Sequence, residues 1–166
     1  MIVVFGLPGS GKSTLAQRLS QRIGATWLSS DVLRAERGLQ GDYRMESITA
    51  VYDEMMDRAR QSLELAHSVV LDGSFSNRRF REQANELVRE ADVNLLLIHM
   101  VADEATTLRR VGRKRKLSEA GPEAYALLKD RFQPVEGEHL RLDSSRTTLK
   151  QLLTKAVDYV SATAVK

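Results

Sequence analysis

The chain has 166 residues, enough for one domain, with 42% hydrophobic and 28% charged residues. This balance excludes disordered, collagen-like and low-complexity chains. The lack of cysteine excludes disulfides, thiolate zinc sites, iron–sulfur clusters and cysteine nucleophiles. A net charge of +3 does not by itself indicate a polyanionic partner. Because neither a signal-peptide layout nor a bilayer-length apolar stretch occurs, we expect a cytoplasmic, single-domain protein over residues 1–166 that does not bind a membrane.

Short apolar runs alternate with segments of helical period along the chain. The runs predict five strands, at Ile2–Phe5, Thr26–Ser29, Ser68–Leu71, Val93–Val101 and His139–Leu142. The segments predict helices at Lys12–Ile23, Asp31–Arg37, 48–66, Asn77–Glu90, Asp103–Val111, 122–132 and Thr147–Ser161. This order favours an α/β domain with a parallel sheet that is covered on both faces. The fourth run is almost uniformly apolar, which is typical of a strand buried on both sides.

A glycine-rich segment follows the first predicted strand and matches the pattern G-x-x-x-x-G-K-[ST] in full. Its residues are Gly6, Leu7, Pro8, Gly9, Ser10, Gly11, Lys12 and Ser13, followed by Thr14. Glycines let the backbone curl so that several N–H groups face one phosphate, and the next helix adds its positive end. We expect Lys12 to reach the β- and γ-phosphates and Ser13 to bind Mg²⁺. The segment therefore predicts a site for ATP or GTP.

Acidic residues follow the second and third predicted strands, at the edge where open α/β sheets bind ligands. Asp31 is placed to take a proton from an attacking hydroxyl group, and Arg34 lies on the same helical face. Alternatively, Asp31 caps a short helix and Arg34 is its solvated partner. Asp72 either holds Mg²⁺, touches the acceptor, or caps a local turn.

A basic cluster occupies residues 109–116, where six of eight positions are Arg or Lys. Like charges repel, so such a cluster is unfavourable unless an anion compensates it. The anion is either the triphosphate of a bound nucleotide or the backbone of a nucleic acid. A solvated run of charge is the third interpretation.

Three of these segments together resemble the small-kinase branch of the P-loop proteins. They are Gly6–Thr14, Ser30-Asp31 with Arg34, and Leu71-Asp72-Gly73-Ser74-Phe75. The branch includes polynucleotide 5′-hydroxyl kinase, gluconate kinase, chloramphenicol phosphotransferase and zeta toxin. It also includes the ATP-binding half that is fused to some aminoglycoside-phosphotransferase-like proteins. The resemblance implies a three-layer P-loop fold with strand order 2-3-1-4-5 and a basic lid at about 112–121.

The resemblance also implies roles for individual residues. Asp31 corresponds to the general base of the branch, and its spacing to Arg34 is similar to that of polynucleotide kinase, where the arginine helps hold the acceptor. The lid of the branch implies that Arg109 and Arg113 contact the nucleotide and stabilise the γ-phosphate during transfer, which makes Arg113 a catalytic candidate. Arg115 is the next candidate for this role, and Arg109 alternatively stacks near the adenine. Relatives carry one arginine near the start of the helix that is predicted here at Asn77–Glu90. This suggests Arg79 as an acceptor contact, whereas a solvated face is the alternative for both Arg79 and Arg81.

We therefore expect an ATP- and Mg²⁺-dependent kinase that transfers the γ-phosphate to a hydroxyl group. The acceptor is either a small molecule or the 5′-end of a nucleic acid. The sequence departs from the clearest form of the branch at Gly73, where relatives often carry a larger residue or threonine. The alternative function is an ATP-hydrolysing switch or nucleotide-binding module without an acceptor.

Overall fold

The computed structural model describes residues 1–112 and 121–164. Each strand is followed along these residues by one helix or by two consecutive helices, as the apolar pattern predicts. In chain order they are β1 Ile2–Phe5, α1 Lys12–Ile23, β2 Thr26–Ser29, α2 Ser30–Glu36, α3 Met45–Glu64, β3 Val69–Gly73, α4 Arg78–Glu90, β4 Leu96–Val101, α5 Glu104–Val111, α6 Pro122–Asp130, β5 Leu140–Asp143 and α7 Leu149–Ala164. The basic residues Arg113 and Arg115 of the predicted lid lie outside the described residues.

The five strands form one parallel sheet with the order β2-β3-β1-β4-β5. The predicted fold class and strand order are therefore confirmed. β1 is the central strand, and all of its residues are buried. Alternate side chains of a strand point to opposite faces, and each face has its own core. Val3 and Phe5 pack with α3 and α4, whereas Ile2 and Val4 pack with α1 and α7.

β4 differs from its prediction in length and in burial. It begins at Leu96 because the preceding residues close α4: Asp92 has a φ of 50°, and the Val93 N–H donates to the carbonyl oxygen of Val88. Its side chains alternate between buried and half-buried rather than being uniformly buried. Phe132 and Val135, which follow α6, pack against one face of the sheet here.

Parallel strands bring the segments after β1, β2 and β3 to one edge of the sheet. Asp72 pairs in register with Val4 of β1 and with Ser29 of β2, so it lies between the glycine-rich loop and the start of α2. The candidate active site is built at this edge. In residues 1–112 and 121–164, no helix combines the length and the apolar character needed to cross a bilayer.

Candidate active site

The phosphate loop, residues 6–13, connects β1 to α1. A Cβ atom at Gly6 would lie 2.1 Å from the carbonyl oxygen of Met100, so the loop approaches β4 too closely for any other residue. The Ser10 N–H donates to the carbonyl oxygen of Leu7 at 3.1 Å and closes a turn inside the loop. α1 then starts at Lys12, and the first N–H groups of a helix have no acceptor within it. This strand–turn–helix arrangement favours an anion at the start of α1.

Ser13 and Asp72 meet beside the phosphate loop. Ser13 Oγ donates to Asp72 Oδ1 at 3.1 Å, and Asp72 is 1% exposed. The second carboxylate oxygen, Oδ2, is buried and has no hydrogen-bond partner in the part of the chain that the structure describes. Mg²⁺ prefers oxygen ligands and usually takes only one or two carboxylates from a protein, with waters and phosphates completing its shell. Ser13 and Asp72 therefore fit the predicted Mg²⁺ site.

The charge of Asp72 depends strongly on its surroundings. Burial raises the pKa of Asp72 to about 6, and the charge of Asp31 also raises it, whereas Lys12 and the Ser13 hydroxyl lower it. A nearby divalent cation would favour the ionised carboxylate. Lys12, Asp31 and Asp72 come from three separate segments, and they nevertheless share one electrostatic environment.

Asp31 and Arg34 line a narrow pocket together with Lys12. Both residues that are predicted to bind the acceptor lie in α2. Asp31 is half-buried in the first turn, and Arg34 is 8% exposed. Ser29 occupies the N-cap position of α2. The alternative that pairs a capping Asp31 with a solvated Arg34 is therefore wrong.

The guanidinium of Arg34 is held in place by uncharged groups. It donates to the carbonyl oxygen of Asp42 and lies over the ring of Tyr43, 5.1 Å from the ring centroid. None of the ion pairs among the described residues includes Arg34. A buried cation without an anionic partner is costly, so the pocket favours an anionic ligand group.

The opposite wall of the pocket is the turn that follows β3. The hydroxyl of Tyr52, a residue that the sequence places only in the apolar face of α3, accepts a hydrogen bond from the Phe75 N–H at 2.9 Å. Phe75 itself has a φ of 43°, a strained value for a non-glycine residue. A Cβ atom at Gly73 would lie 2.8 Å from the Tyr52 hydroxyl oxygen. The departure at Gly73 therefore makes room for the tyrosine that holds this turn.

Arg81 holds the same turn from the other side. It is 8% exposed, and its guanidinium donates to the carbonyl oxygens of Phe75 and Pro134, each at 2.6 Å. The alternative of a solvated face is therefore wrong for Arg81. The turn carries Ser74 and Ser76, and both line the pocket beside Asp31.

Replacing Tyr52 with Phe tests how the turn is held. The change leaves the buried Phe75 N–H without an acceptor, so we expect the free energy of unfolding to fall by about 1–2 kcal/mol. Urea-induced unfolding of the two proteins measures the difference. Tyr159→Phe on α7 is the matched control, because the Tyr159 hydroxyl makes no hydrogen bond to the described residues. Equal stability losses in the two variants would contradict the assignment.

The other predicted contacts are not gathered in this pocket. Arg79 is exposed on α4 and is not among the residues that line the pocket. Arg109 is exposed near the end of α5, and Arg113 lies outside the described residues. These three arginines stay predictions.

Two residues that touch the phosphate loop are absent from the predicted site. Arg110 at the end of α5 and Ser144 after β5 both bond to carbonyl oxygens of the loop. Arg110 was visible only as a member of a basic run, and no local pattern marks Ser144.

Comparisons with known proteins agree with this arrangement. A cytidylate kinase of Methanothrix thermoacetophila is 30% identical over 132 residues, which are 76% of this chain and 71% of that protein. An uncharacterized protein of Mycobacterium tuberculosis is 31% identical over 160 residues, which are 87% of this chain and 32% of that protein. This chain thus spans about a third of the length of the first curated relatives that it matches.

A solved structure supports the fold. The APS kinase of Mycobacterium tuberculosis, in complex with AMPPNP and APS, has a TM-score of 0.73 at 18% identity, with 96% of each chain covered. The sheet order and the phosphate loop define the fold of P-loop kinases, and kinases occur among both the sequence relatives and the structural neighbours. The family model described as an AAA domain (AAA_33) matches residues 1–135, and the protein belongs to this family.

Proposed function

We propose that the protein is an ATP-dependent phosphotransferase that moves the γ-phosphate to a hydroxyl group of an acceptor. The observation that supports this most directly is the shared pocket: Lys12 of the phosphate loop and Asp31 of α2 line the same narrow space. A triphosphate held by the loop and a hydroxyl group held by Asp31 would thus face each other. Reacting groups that are held in this way transfer a phosphoryl group mainly through positioning and charge stabilisation.

Each residue has a defined part in the proposed reaction. The loop amides and Lys12 hold the triphosphate, while Asp31 accepts the proton of the acceptor hydroxyl as its oxygen bonds to the γ-phosphorus. The bond from the γ-phosphorus to the bridging oxygen then breaks, and ADP leaves. Ser13 and Asp72 would hold Mg²⁺, which when bound neutralises charge on the β- and γ-phosphate oxygens. We include Arg109 and Arg113 as candidate nucleotide contacts.

Arg34 restricts the chemistry of the acceptor. Its buried guanidinium has no carboxylate partner among the described residues, which favours an acceptor with a phosphate or carboxylate close to the reacting hydroxyl. The pocket is narrow, and Phe80 and Leu128 form part of its wall. A narrow pocket with a partly apolar wall and one buried guanidinium favours a small anionic molecule over the end of a polynucleotide.

Salt dependence separates the two acceptor classes. Backbone contacts to a nucleic acid make affinity fall steeply with salt, whereas a small acceptor with one anionic group responds weakly. We expect ADP formation to be stimulated by sugar phosphates or hydroxy acids more than by 5′-hydroxyl oligonucleotides. ATP turnover that no acceptor stimulates would favour the ATP-hydrolysing alternative.

Replacing Lys12 with Ala tests the phosphate loop itself. Loss of the charge-assisted contact should weaken the binding of Mg·AMPPNP by about tenfold or more and reduce acceptor-stimulated turnover by about a hundredfold or more. Calorimetric titration measures the first and ADP release the second. The control is Lys155→Ala on the exposed side of α7. Unchanged AMPPNP affinity in the Lys12 variant would refute nucleotide binding by this loop.

A further inference from the structure

A hydrogen-bonded network lies behind the phosphate loop, on the side of α5 and β5. Arg110 Nη1 donates to the carbonyl oxygen of Gly9 at 3.0 Å and to Ser144 Oγ at 2.7 Å, and Nη2 donates to the carbonyl oxygen of Ser144 at 3.0 Å. Ser144 Oγ in turn donates to the carbonyl oxygen of Ser10 at 2.8 Å. Ser144 is 9% exposed. Two consecutive carbonyl groups of the loop are thus held from behind by one guanidinium and one hydroxyl.

The geometry of the peptide bond turns this contact into a constraint on the loop amides. In a planar trans peptide the C=O and the following N–H point in opposite directions. Because Ser144 holds the Ser10 carbonyl, the Gly11 N–H must point away from the network. This N–H has no acceptor among the residues that the structure describes, and it immediately precedes Lys12. The Ser10 carbonyl, held towards Ser144, therefore keeps the Gly11 N–H pointing into the phosphate loop, where it can donate to an anion.

We infer that Arg110 and Ser144 are positioning residues that hold the phosphate loop in its anion-binding shape before a nucleotide binds. They act through the carbonyl oxygens of Gly9 and Ser10, without touching the phosphates. Affinity rises because the loop is already ordered and little conformational freedom is lost on binding. The inference rests on the proposed function to the extent that the loop binds a nucleotide.

The geometry of the Arg110 contacts separates this role from that of a phosphate-binding cation. A guanidinium presents its donors as a fixed fork, and here Nη1 reaches the Gly9 carbonyl and Ser144 Oγ while Nη2 reaches the Ser144 carbonyl. Lysine keeps the charge but has a single ammonium group, so it cannot make the contacts of both guanidinium nitrogens at once. Arg110→Lys is therefore expected to lose the positioning role, although it would largely keep an electrostatic attraction to phosphate.

The test uses the full chain with the variants Ser144→Ala, Arg110→Lys, Arg110→Ala and the double variant Ser144→Ala/Arg110→Ala. Titration with Mg·AMPPNP should show affinity losses of about tenfold for each single variant, since each removes hydrogen bonds to the loop. The double variant should lose less than the product of the single losses, because the residues share one network. The control is Arg22→Lys on the exposed end of α1, which should bind as the wild type does.

A spectroscopic readout separates positioning from general destabilisation. In unliganded Ser144→Ala, the amide signals of Gly9 and Gly11 should shift or broaden, while the amide signals of α3 and α7 stay unchanged. Wild-type affinity in either Ser144→Ala or Arg110→Lys overturns the inference, and so does a loss that appears in Arg110→Ala but not in Arg110→Lys. If the wild-type protein itself does not bind Mg·AMPPNP, the proposed function fails instead.

Discussion

Asp72→Asn is expected to make the folded protein more stable while removing its Mg²⁺-dependent affinity for nucleotide. Burial raises the pKa of Asp72 from 3.8 to about 6, so the folded state binds the proton more tightly than the unfolded state does. The folded protein therefore loses stability as the pH rises from about 4 to about 6, and the full cost remains above pH 6. Asparagine has no charge to bury, and it keeps an oxygen that can accept the Ser13 hydrogen bond. We expect a gain of about 3 kcal/mol at pH 7.5.

Unfolding at two pH values and titration with nucleotide together check this expectation. The Tm of Asp72→Asn should exceed that of the wild type by roughly 6–12 °C at pH 7.5 and by little at pH 4. Mg²⁺ should strengthen AMPPNP binding in the wild type but not in the variant. Asp158→Asn, on the exposed side of α7, serves as the control and should change neither quantity. A variant that is less stable at pH 7.5, or one that keeps the Mg²⁺ effect, would show that Asp72 does not hold the cation.

Asp31→Asn is expected to abolish phosphoryl transfer and to leave nucleotide binding nearly intact. The amide cannot take the proton of the acceptor hydroxyl, and removing a general base typically lowers the rate by about 10²–10⁴-fold. AMPPNP affinity should stay within roughly twofold, because the lost interaction acts in the transition state rather than in the nucleotide complex. The stimulating acceptor found by the turnover screen is the substrate for this measurement.

A second readout makes the Asp31 test sharper. The charge of Asp31 raises the pKa of Asp72, so Asp31→Asn should move the pH dependence of Mg²⁺-dependent AMPPNP binding to lower pH. Asp57→Asn on the exposed face of α3 is the control. A normal transfer rate in Asp31→Asn would mean that another group accepts the proton.

The elements that sequence could predict are those governed by local pattern. The bounds of β1, α1 and β2 agree with the prediction, because each has a clear apolar period and is separated from the next by glycine. The phosphate loop follows from its own residues in the same way. β4 is shorter than predicted. Apolar composition alone does not show that the Val93 N–H bonds to the Val88 carbonyl at the end of α4 instead of joining the strand.

The parts of the site that sequence could not predict depend on contacts between distant residues. Ser144 and Ser10 are 134 positions apart, and Tyr52 and Phe75 are 23 positions apart. A single sequence contains no signal that joins such pairs. Arg81 shows the same limit, because a basic residue on a charged helix is ordinarily solvated, and its burial follows from carbonyl groups in a loop more than 50 positions further along the chain.

Arg81 connects two segments near the acceptor pocket, the turn after β3 and the chain that follows α6. The Gln133 N–H also donates to the carbonyl oxygen of Ser76 at 2.9 Å. The turn that carries Ser76 and the chain at Gln133 and Pro134 therefore cannot separate without breaking several hydrogen bonds. A pocket held in this way would select acceptors by excluding molecules that are too large to enter. We therefore expect a much narrower range of substrates than an adaptable site would accept.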